Sequence, residues 1–159
     1  MEVVIVEDIP NEDYVFRNIH CAQHKKWKAK RTPNESDFSL RPGEDGLSVN
    51  WDKYCSLAHA FILVGIQKDR NLQFRNPAEF KIIKLNIGEV RNLSTLGMEV
   101  DVRHDPLQDN KAHSLICYED AEEIRLKLCD LVSNTEQPLL TIDFELINNQ
   151  LEERRIAIG

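Results

Sequence analysis

The amino-acid sequence predicts an α+β fold with helices packed on a mixed or antiparallel sheet, and three patterns support this prediction. Apolar residues recur at helical spacing between residues 121 and 132. Residues 140–146 alternate strictly between apolar and polar types, which is typical of a strand with one buried and one wet face. Helical and strand patterns alternate only loosely, and that two-faced strand differs from the doubly buried strands of a parallel sheet.

The N-terminal part is predicted to hold one strand and one helix. Residues 1–7 are apolar and β-branched, as expected of a strand, and Pro10 ends that run. A helix is expected to begin near Asn11, because an asparagine followed by acidic residues suits a helix N-terminus. Its continuation at residues 24–31 is strongly basic.

The following part is predicted to hold a turn and a second helix. Short alternating runs at residues 38–40 and 47–49 flank a segment rich in proline and glycine at residues 41–46. This arrangement indicates a hairpin or a wide turn. Asp52 is placed to cap a helix that continues through apolar residues to Ile66.

The second half of the chain carries further strand and helix patterns. Strands are expected at residues 80–87, 98–102 and 114–118, and a short helical turn at residues 88–93. Asp120, with an acid three residues later, resembles a capping box at the start of the helix noted above. Because there is no repeat, low-complexity tract or linker, one domain over the whole chain, 1–159, is predicted.

Composition and charge narrow the classes of function. With 42% hydrophobic and 30% charged residues, the chain is typical of globular proteins. The formal net charge of -7 disfavours nonspecific binding of the whole acidic surface to nucleic acid or to acidic membranes. The longest apolar run, residues 60–66, is too short to cross a membrane. Acidic residues stand where a signal peptide would be basic, so a cytoplasmic protein is expected.

The cysteines and histidines give no sign of a metal centre or of disulfides. The four cysteines are widely spaced and are expected to be reduced: Cys21, Cys55, Cys117 and Cys129. The last two lie on apolar runs and are interpreted as small buried hydrophobes. His20 and His24 are four residues apart, but their spacing matches no closed zinc motif. The chain also lacks a P-loop, a G-x-G-x-x-G run and a G-x-S-x-G elbow, and no cofactor is predicted.

Residues 103–114 contain the densest group of chemically capable side chains. His104 and Asp105 are candidates for a catalytic base and its orienting carboxylate, and His113 or Ser114 would return from the far end of the segment. The alternative is an ordered polar loop, because the Asp-Pro and Asp-Asn pairs in this segment are turn formers. Both interpretations remain open at the level of sequence.

Cationic side chains supply the candidate binding residues. Arg103 or Arg17 would clamp an anion beside the histidines. The basic segment, residues 25–31, carries five cations and an aromatic ring. Its candidate binding residues are Lys25, Lys26, Trp27, Lys28, Lys30 and Arg31. Such a segment suits a nucleic-acid strand, but the acidic remainder of the chain favours a solvated face or a docking surface for an acidic protein.

Several sequence elements resemble an uncharacterised family of small bacterial proteins. An aromatic and basic segment beginning at Tyr14 precedes Leu47-Ser48-Val49, as it does in that family. A Gly-Glu-Val turn at residues 88–90 follows. The most specific match is Asp105-Pro106-Leu107-Gln108-Asp109-Asn110-Lys111-Ala112-His113, which corresponds to a D-P-L-x-D-N-x-A-H element. The resemblance covers residues 14–118 and implies a bacterial protein, but it implies no particular activity.

Three functions are predicted in descending order. The first is a non-enzymatic, protein-binding component of a cytosolic assembly that docks through the basic segment. The second is a small enzyme that acts on a nucleotide or a similar polar molecule through the histidine and aspartate site. The third is nucleic-acid binding through the basic segment. A weaker similarity to ADP-ribosyltransferase-like folds would use Arg17 and Ser48, but no matching catalytic glutamate is present, so this activity is not predicted.

Overall fold

A computed structural model describes residues 5–21, 33–135 and 138–158, and it confirms the α+β class. Its centre is a five-stranded antiparallel sheet with the spatial order β3-β1-β2-β5-β4. The strands are β1 (Tyr14–His20), β2 (Leu47–Trp51), β3 (Phe80–Asn86), β4 (Val100–His104) and β5 (His113–Tyr118).

Four α-helices and four short 3-10 turns accompany the sheet within the described ranges. The helices are α1 (Leu57–Gly65), α2 (Ile87–Asn92), α3 (Glu122–Ser133) and α4 (Asn148–Ile158). The 3-10 turns span Glu35–Phe38, Pro77–Glu79, Leu93–Leu96 and Phe144–Leu146. In these parts of the chain, no helix has both the length and the apolar character that a membrane span requires.

The sheet separates two hydrophobic clusters of unequal extent. The larger cluster lies on the face covered by α2 and α3 and draws residues from all five strands. The smaller cluster joins α1 and α4 to Phe16 of β1 and Ile82 of β3. It includes no residue of β2, β4 or β5. On that part of the second face the side chains are half-buried or exposed, among them Ser48, Asn50 and His113, so polar groups there remain open to solvent.

The prediction of a helix near Asn11 is wrong, because that part of the chain forms β1. All seven residues of β1 pair with β3, and this long ladder outweighs the local helix signal. The predicted N-terminal strand is absent at residues 5–7, and residues 1–4 lie outside the described ranges. The acid expected in the first helical turn, Asp13, instead accepts a hydrogen bond from Trp51 Nε1 at 2.8 Å.

Of the two alternatives predicted at residues 38–49, a turn is present and the hairpin is wrong. Phe38 belongs to a 3-10 turn and is fully buried, and the hydroxyl of Tyr118 donates to its carbonyl oxygen. Only the second run is a strand, and β2 pairs with β1 and β5. The helix that follows is confirmed, but it begins at Leu57 with Ser56 as its cap, and Asp52 accepts a hydrogen bond from the backbone of β1.

Most elements of the second half are confirmed with small shifts of their ends. The exception is the alternating run at residues 140–146, which forms no strand. Leu140 makes a single bridge to Ile82 at the outer edge of β3, and a 3-10 turn capped by Asp143 follows. Leu140 and Phe144 still pack on the smaller cluster, so the alternation marks one buried side of an extended, mostly unpaired chain. The start of α3 also differs, since its cap is Ala121.

Arg91 of α2 connects three parts of the fold. Its guanidinium donates to the carbonyl oxygen of Ile9 at 2.6 Å and to that of Val102 at 2.9 Å. It also donates to Asn11 Oδ1 at 2.8 Å and to Asp101 Oδ1 at 3.1 Å. These bonds fasten the segment before β1, and the outer edge of β4, to α2. Edge carbonyls that would otherwise lack a partner are satisfied in this way.

We expect Arg91→Gln to lower the free energy of unfolding by about 2 kcal/mol, because several charge-assisted hydrogen bonds are lost together. Arg103→Gln is the matched control, since Arg103 also contacts Asp101 but its side chain is 70% exposed, against 28% for Arg91. The control should cost less than about 1 kcal/mol. Urea unfolding followed by tryptophan fluorescence gives both values. Equal losses in the two variants would contradict the role assigned to Arg91.

Candidate functional site

The segment between β4 and β5 is an ordered hairpin connection. The backbone of Asp105 donates to the carbonyl oxygen of His113 at 3.0 Å, which extends the ladder beyond the strands. Leu107 and Asn110 then exchange backbone hydrogen bonds at 3.0 and 3.1 Å. The tip is thereby reduced to two residues. The turn predicted for this segment is therefore present. Its backbone hydrogen bonds hold the polar side chains on the two sides of the hairpin.

His104 faces the larger core and not the polar face of the sheet. Because His104 pairs with Ser114, it lies on the opposite side from its neighbour Asp105 and from His113. Its Nδ1 accepts a hydrogen bond from the backbone N–H of Glu7 at 3.0 Å, and its Nε2 donates to the carbonyl oxygen of Lys111 at 2.7 Å. Only 4% of the residue is exposed. The geometry therefore corrects the assignment of His104 as an acid–base group, because neither ring nitrogen is free.

His113 lies on the open face and joins two oxygen-bearing side chains. Its Nδ1 is 2.8 Å from the carbonyl oxygen of Asp105 and 3.3 Å from Oδ2 of the same residue. Its Nε2 is 3.3 Å from Oγ of Ser48, which projects from the neighbouring strand β2. The three residues thus form a chain of contacts from a carboxylate through an imidazole to a hydroxyl. Distances slightly above 3.2 Å are common for such groups before a ligand binds.

The contacts of His113 determine which of its nitrogens carries the proton in the neutral ring. Both neighbours of Nδ1 are acceptors, so Nδ1 is the protonated nitrogen. Nε2 is then an acceptor, and it is oriented to receive the hydroxyl proton of Ser48. This is the protonation state that a base needs in order to activate a hydroxyl group.

Asn50 lies beside His113 on the same face, and its amide orientation is fixed by a neighbour. Asn110 Oδ1 accepts from the backbone N–H of Ala112 at 3.2 Å, so Asn110 Nδ2 must be the group that points at Asn50. That nitrogen donates to Asn50 Oδ1 at 2.8 Å. Within the described parts of the chain, Asn50 Nδ2 has no acceptor, which leaves an amide donor two residues from Ser48.

A cavity of about 470 Å³ opens beside these residues. Its polar wall includes Ser48 and His113 together with the side-chain amides of Asn18, Asn50, Gln67 and Asn110. Its apolar wall includes Leu63, Ile66, Leu107 and Ile158. An apolar wall with a few convergent polar groups is typical of a small-molecule site. No lysine or arginine of the described residues lines it.

The two predicted anion clamps lie elsewhere. Arg17 donates to the carbonyl oxygens of Ser48 at 2.9 Å and Asp37 at 3.4 Å, where the ladder between β1 and β2 has already ended. Burial lowers the pKa of Arg17 below its usual value. Arg103 is mainly exposed and contacts Asp101 at 3.4 Å. Neither arginine lines the cavity beside His113, so the structure corrects their assignment as clamps.

The remaining predicted residues give no second catalytic group. The basic segment, with Lys25, Lys26, Trp27, Lys28, Lys30 and Arg31, lies outside the described ranges. His20 ends strand β1, and its Nε2 lies 3.2 Å from Glu79 Oε2. In the part of the chain that the structure describes, no three histidine, cysteine or acidic side chains are grouped to hold a metal ion.

Three of the four cysteines offer no activated thiol. Of Cys55, Cys117 and Cys129, only Cys117 is half-buried, which corrects its prediction as a buried residue. Burial raises the pKa of Cys55 and of Cys129 to about 12 and raises that of Cys117. A thiol with a raised pKa is mostly protonated near neutral pH and is a poor nucleophile. The hydroxyl of Ser48 is therefore the better candidate nucleophile.

Ser48 and Asn50 are the site residues that sequence reasoning did not assign to this site. The signal that could have found them is the alternation of β2, in which Leu47, Val49 and Trp51 are buried and the two polar residues share the other face. Comparisons with protein-family models, with curated proteins and with solved structures find no match to the chain. The resemblance to a bacterial family therefore stays a prediction.

We expect the neutral forms of the two histidines to be opposite tautomers. His104 should carry its proton on Nε2 and His113 on Nδ1, because their acceptors lie at those atoms. Long-range ¹H–¹⁵N correlation spectra distinguish the two forms. His113→Gln should remove the ring-nitrogen correlations of His113 and leave those of His104 unchanged. An Nε2-protonated form of His113 would contradict its contact with Asp105.

Proposed function

We propose that the protein is an enzyme that cleaves an acyl bond in a small, uncharged polar molecule, with Ser48 as nucleophile and His113 as base. The observation that carries this proposal is the chain of contacts from Asp105 through His113 to Ser48. Ser48 and His113 have the residue types and the contact that nucleophilic catalysis requires, and Asp105 meets Nδ1 with its carbonyl oxygen at 2.8 Å and with its carboxylate at 3.3 Å. The proposal develops the second of the functions predicted from the sequence, in which His104 or His113 is the acid–base group, and it uses His113.

In the proposed reaction, Ser48 Oγ attacks the carbonyl carbon of the substrate while His113 Nε2 accepts the hydroxyl proton. The bond to the leaving group then breaks, and His113 returns the proton to that group. Water next attacks the acyl ester on Ser48, giving its proton to the same nitrogen. The acid departs and Ser48 regains its proton. Asp105 orients the imidazole and stabilises its cationic form during both steps.

Asn50 is the donor placed to stabilise the oxyanion of this reaction. Among the described residues, Asn50 Nδ2 has no hydrogen-bond acceptor. The hydrogen bond from Asn110 to Asn50 Oδ1 holds the amide in one orientation. A preorganised donor of this kind stabilises the negative charge that develops on the carbonyl oxygen. Asn50 and Ser48 lie on the same face of β2, so both side chains reach the same cavity.

The lining of the cavity favours an uncharged substrate. It contains side-chain amides, a hydroxyl, an imidazole and Asp109, but no described lysine or arginine that would neutralise a phosphate or carboxylate. The aliphatic wall suits a small apolar group next to the scissile bond. A nucleotide, which the sequence suggested as one possible substrate, would leave its phosphates without a cation here.

The other two predicted functions, protein binding and nucleic-acid binding, keep the basic segment as their contact surface. Residues 25–31 lie outside the described ranges, so the described residues do not test this contact surface. Docking within a cytosolic bacterial assembly therefore stays a prediction from the sequence. It is compatible with the enzyme proposed here, because the candidate site uses none of those cations.

We expect a fluorophosphonate probe to modify Ser48 of the native protein. The activated Oγ attacks phosphorus, fluoride departs, and the peptide that contains Ser48 gains the mass of the phosphonyl group. His113→Gln should slow this labelling by about 100-fold or more, because the general base is removed. Ser48→Ala should abolish it. Mass spectrometry of digested protein locates and quantifies the product.

Two variants control for nonspecific effects on labelling. Ser39→Ala removes an exposed serine outside the site, and His59→Gln removes a half-buried histidine of α1. Both should label at the rate of the native protein. Absence of labelling in the native protein, or equal labelling of His113→Gln, would overturn the role proposed for Ser48.

A further inference from the structure

A second cavity, of about 630 Å³, is lined by three arginines and differs in chemistry from the first. Arg41 comes from the turn that precedes β2, whereas Arg70 and Arg75 come from the connection between α1 and β3. His20, Phe74 and Phe80 complete much of its wall. No residue lines both this arginine cavity and the cavity beside Ser48.

The carboxylates of the arginine cavity are occupied by other groups. Asp69 Oδ1 accepts backbone hydrogen bonds from Asn71 at 2.8 Å and from Gln73 at 3.1 Å. Glu79 contacts His20 at 3.2 Å. Among the described residues, no acid forms an ion pair with any of the three arginines of the cavity, although four other arginine–carboxylate contacts occur. Three guanidinium groups and two carboxylates therefore line the cavity, and the guanidinium groups have no ion-pair partner among the described acids.

Arg75 is held in place, although its guanidinium has no acceptor among the described residues. Its backbone N–H donates to Gln67 at 2.8 Å, and its carbonyl oxygen accepts from Arg155 at 2.8 Å. Its guanidinium carbon lies 5.7 Å from the centre of the Phe80 ring. Within the described ranges, Arg75 Nε is the one buried side-chain nitrogen or oxygen without a hydrogen bond. A buried cationic donor is normally hydrogen-bonded, so an anion that enters this cavity would stabilise the guanidinium of Arg75.

We propose that the arginine cavity binds a small phosphate-bearing molecule. A guanidinium offers planar, paired donors that match the oxygens of a phosphate group, and the three arginines exceed the two carboxylates of the lining by one positive charge. The concave shape favours a small ligand that enters the cavity. The net charge of -7 opposes a long nucleic acid, whose many phosphates would meet the acidic remainder of the surface. This site is independent of the reaction proposed at Ser48.

Inorganic pyrophosphate is the probe for this site, and isothermal titration calorimetry of the full chain gives its affinity. We expect saturable binding to one site. Arg75→Gln and the exposed Arg70→Gln should each weaken it by roughly tenfold, the factor that corresponds to loss of one charge-assisted bond. Arg75→Lys should restore only part of the affinity, because an ammonium cannot form the paired contact. Thermal unfolding of each variant checks that it is folded.

Two control variants test whether pyrophosphate binding depends on this cavity. Arg103→Gln removes the same charge from an exposed arginine outside it, and Ser48→Ala alters the other cavity. Both should bind pyrophosphate with the native affinity. Absence of saturation at millimolar pyrophosphate, or equal weakening by Arg103→Gln, would overturn the proposal. Tighter binding of single-stranded oligonucleotides that increases with their length would overturn it in favour of a nucleic-acid surface.

Discussion

The register of β2 against β5 is the constraint on which the candidate site depends. Asn50 pairs with His113, and Ser48 with Leu115, so the hydroxyl, the amide and the imidazole share one face. A shift of one residue would turn Ser48 toward the core and expose the alternating Leu47, Val49 and Trp51. These three residues are almost completely buried, and their burial holds the register. The site is thus positioned by hydrophobic packing on the face opposite to it.

Local periodicity was sufficient for the fold class and for several elements, but not for the pairing of strands. Helix α3 and strands β3 and β5 follow from apolar spacing that tertiary contacts do not oppose. Strand β1 was mistaken for a helix because Val15 and Ile19, four residues apart, share a face in either structure. What distinguishes the strand is the ladder with β3, whose residues lie 60 or more positions from their partners and have no local signature.

The candidate site was predictable as a segment but not as a set of atoms. Turn-forming pairs predicted an ordered polar loop at residues 103–114 as one of two alternatives, and the structure shows an ordered hairpin connection there. No sequence feature distinguishes His104 from His113, whereas in the structure they lie on opposite faces of the sheet. Which histidine is open depends on Glu7 and Lys111, which occupy both nitrogens of His104, and on Ser48, which approaches His113. These partners come from three separate parts of the chain.

The ladder between β1 and β2 ends beside the cavity at Ser48. Only two residue pairs join these strands, and beyond Phe16 the guanidinium of Arg17 reaches across to Ser48 in place of the backbone. Asn18 of β1 and Ser48 of β2 form walls of the same cavity. The spacing of these two walls therefore depends on one arginine side chain, where a continuous sheet would supply backbone hydrogen bonds.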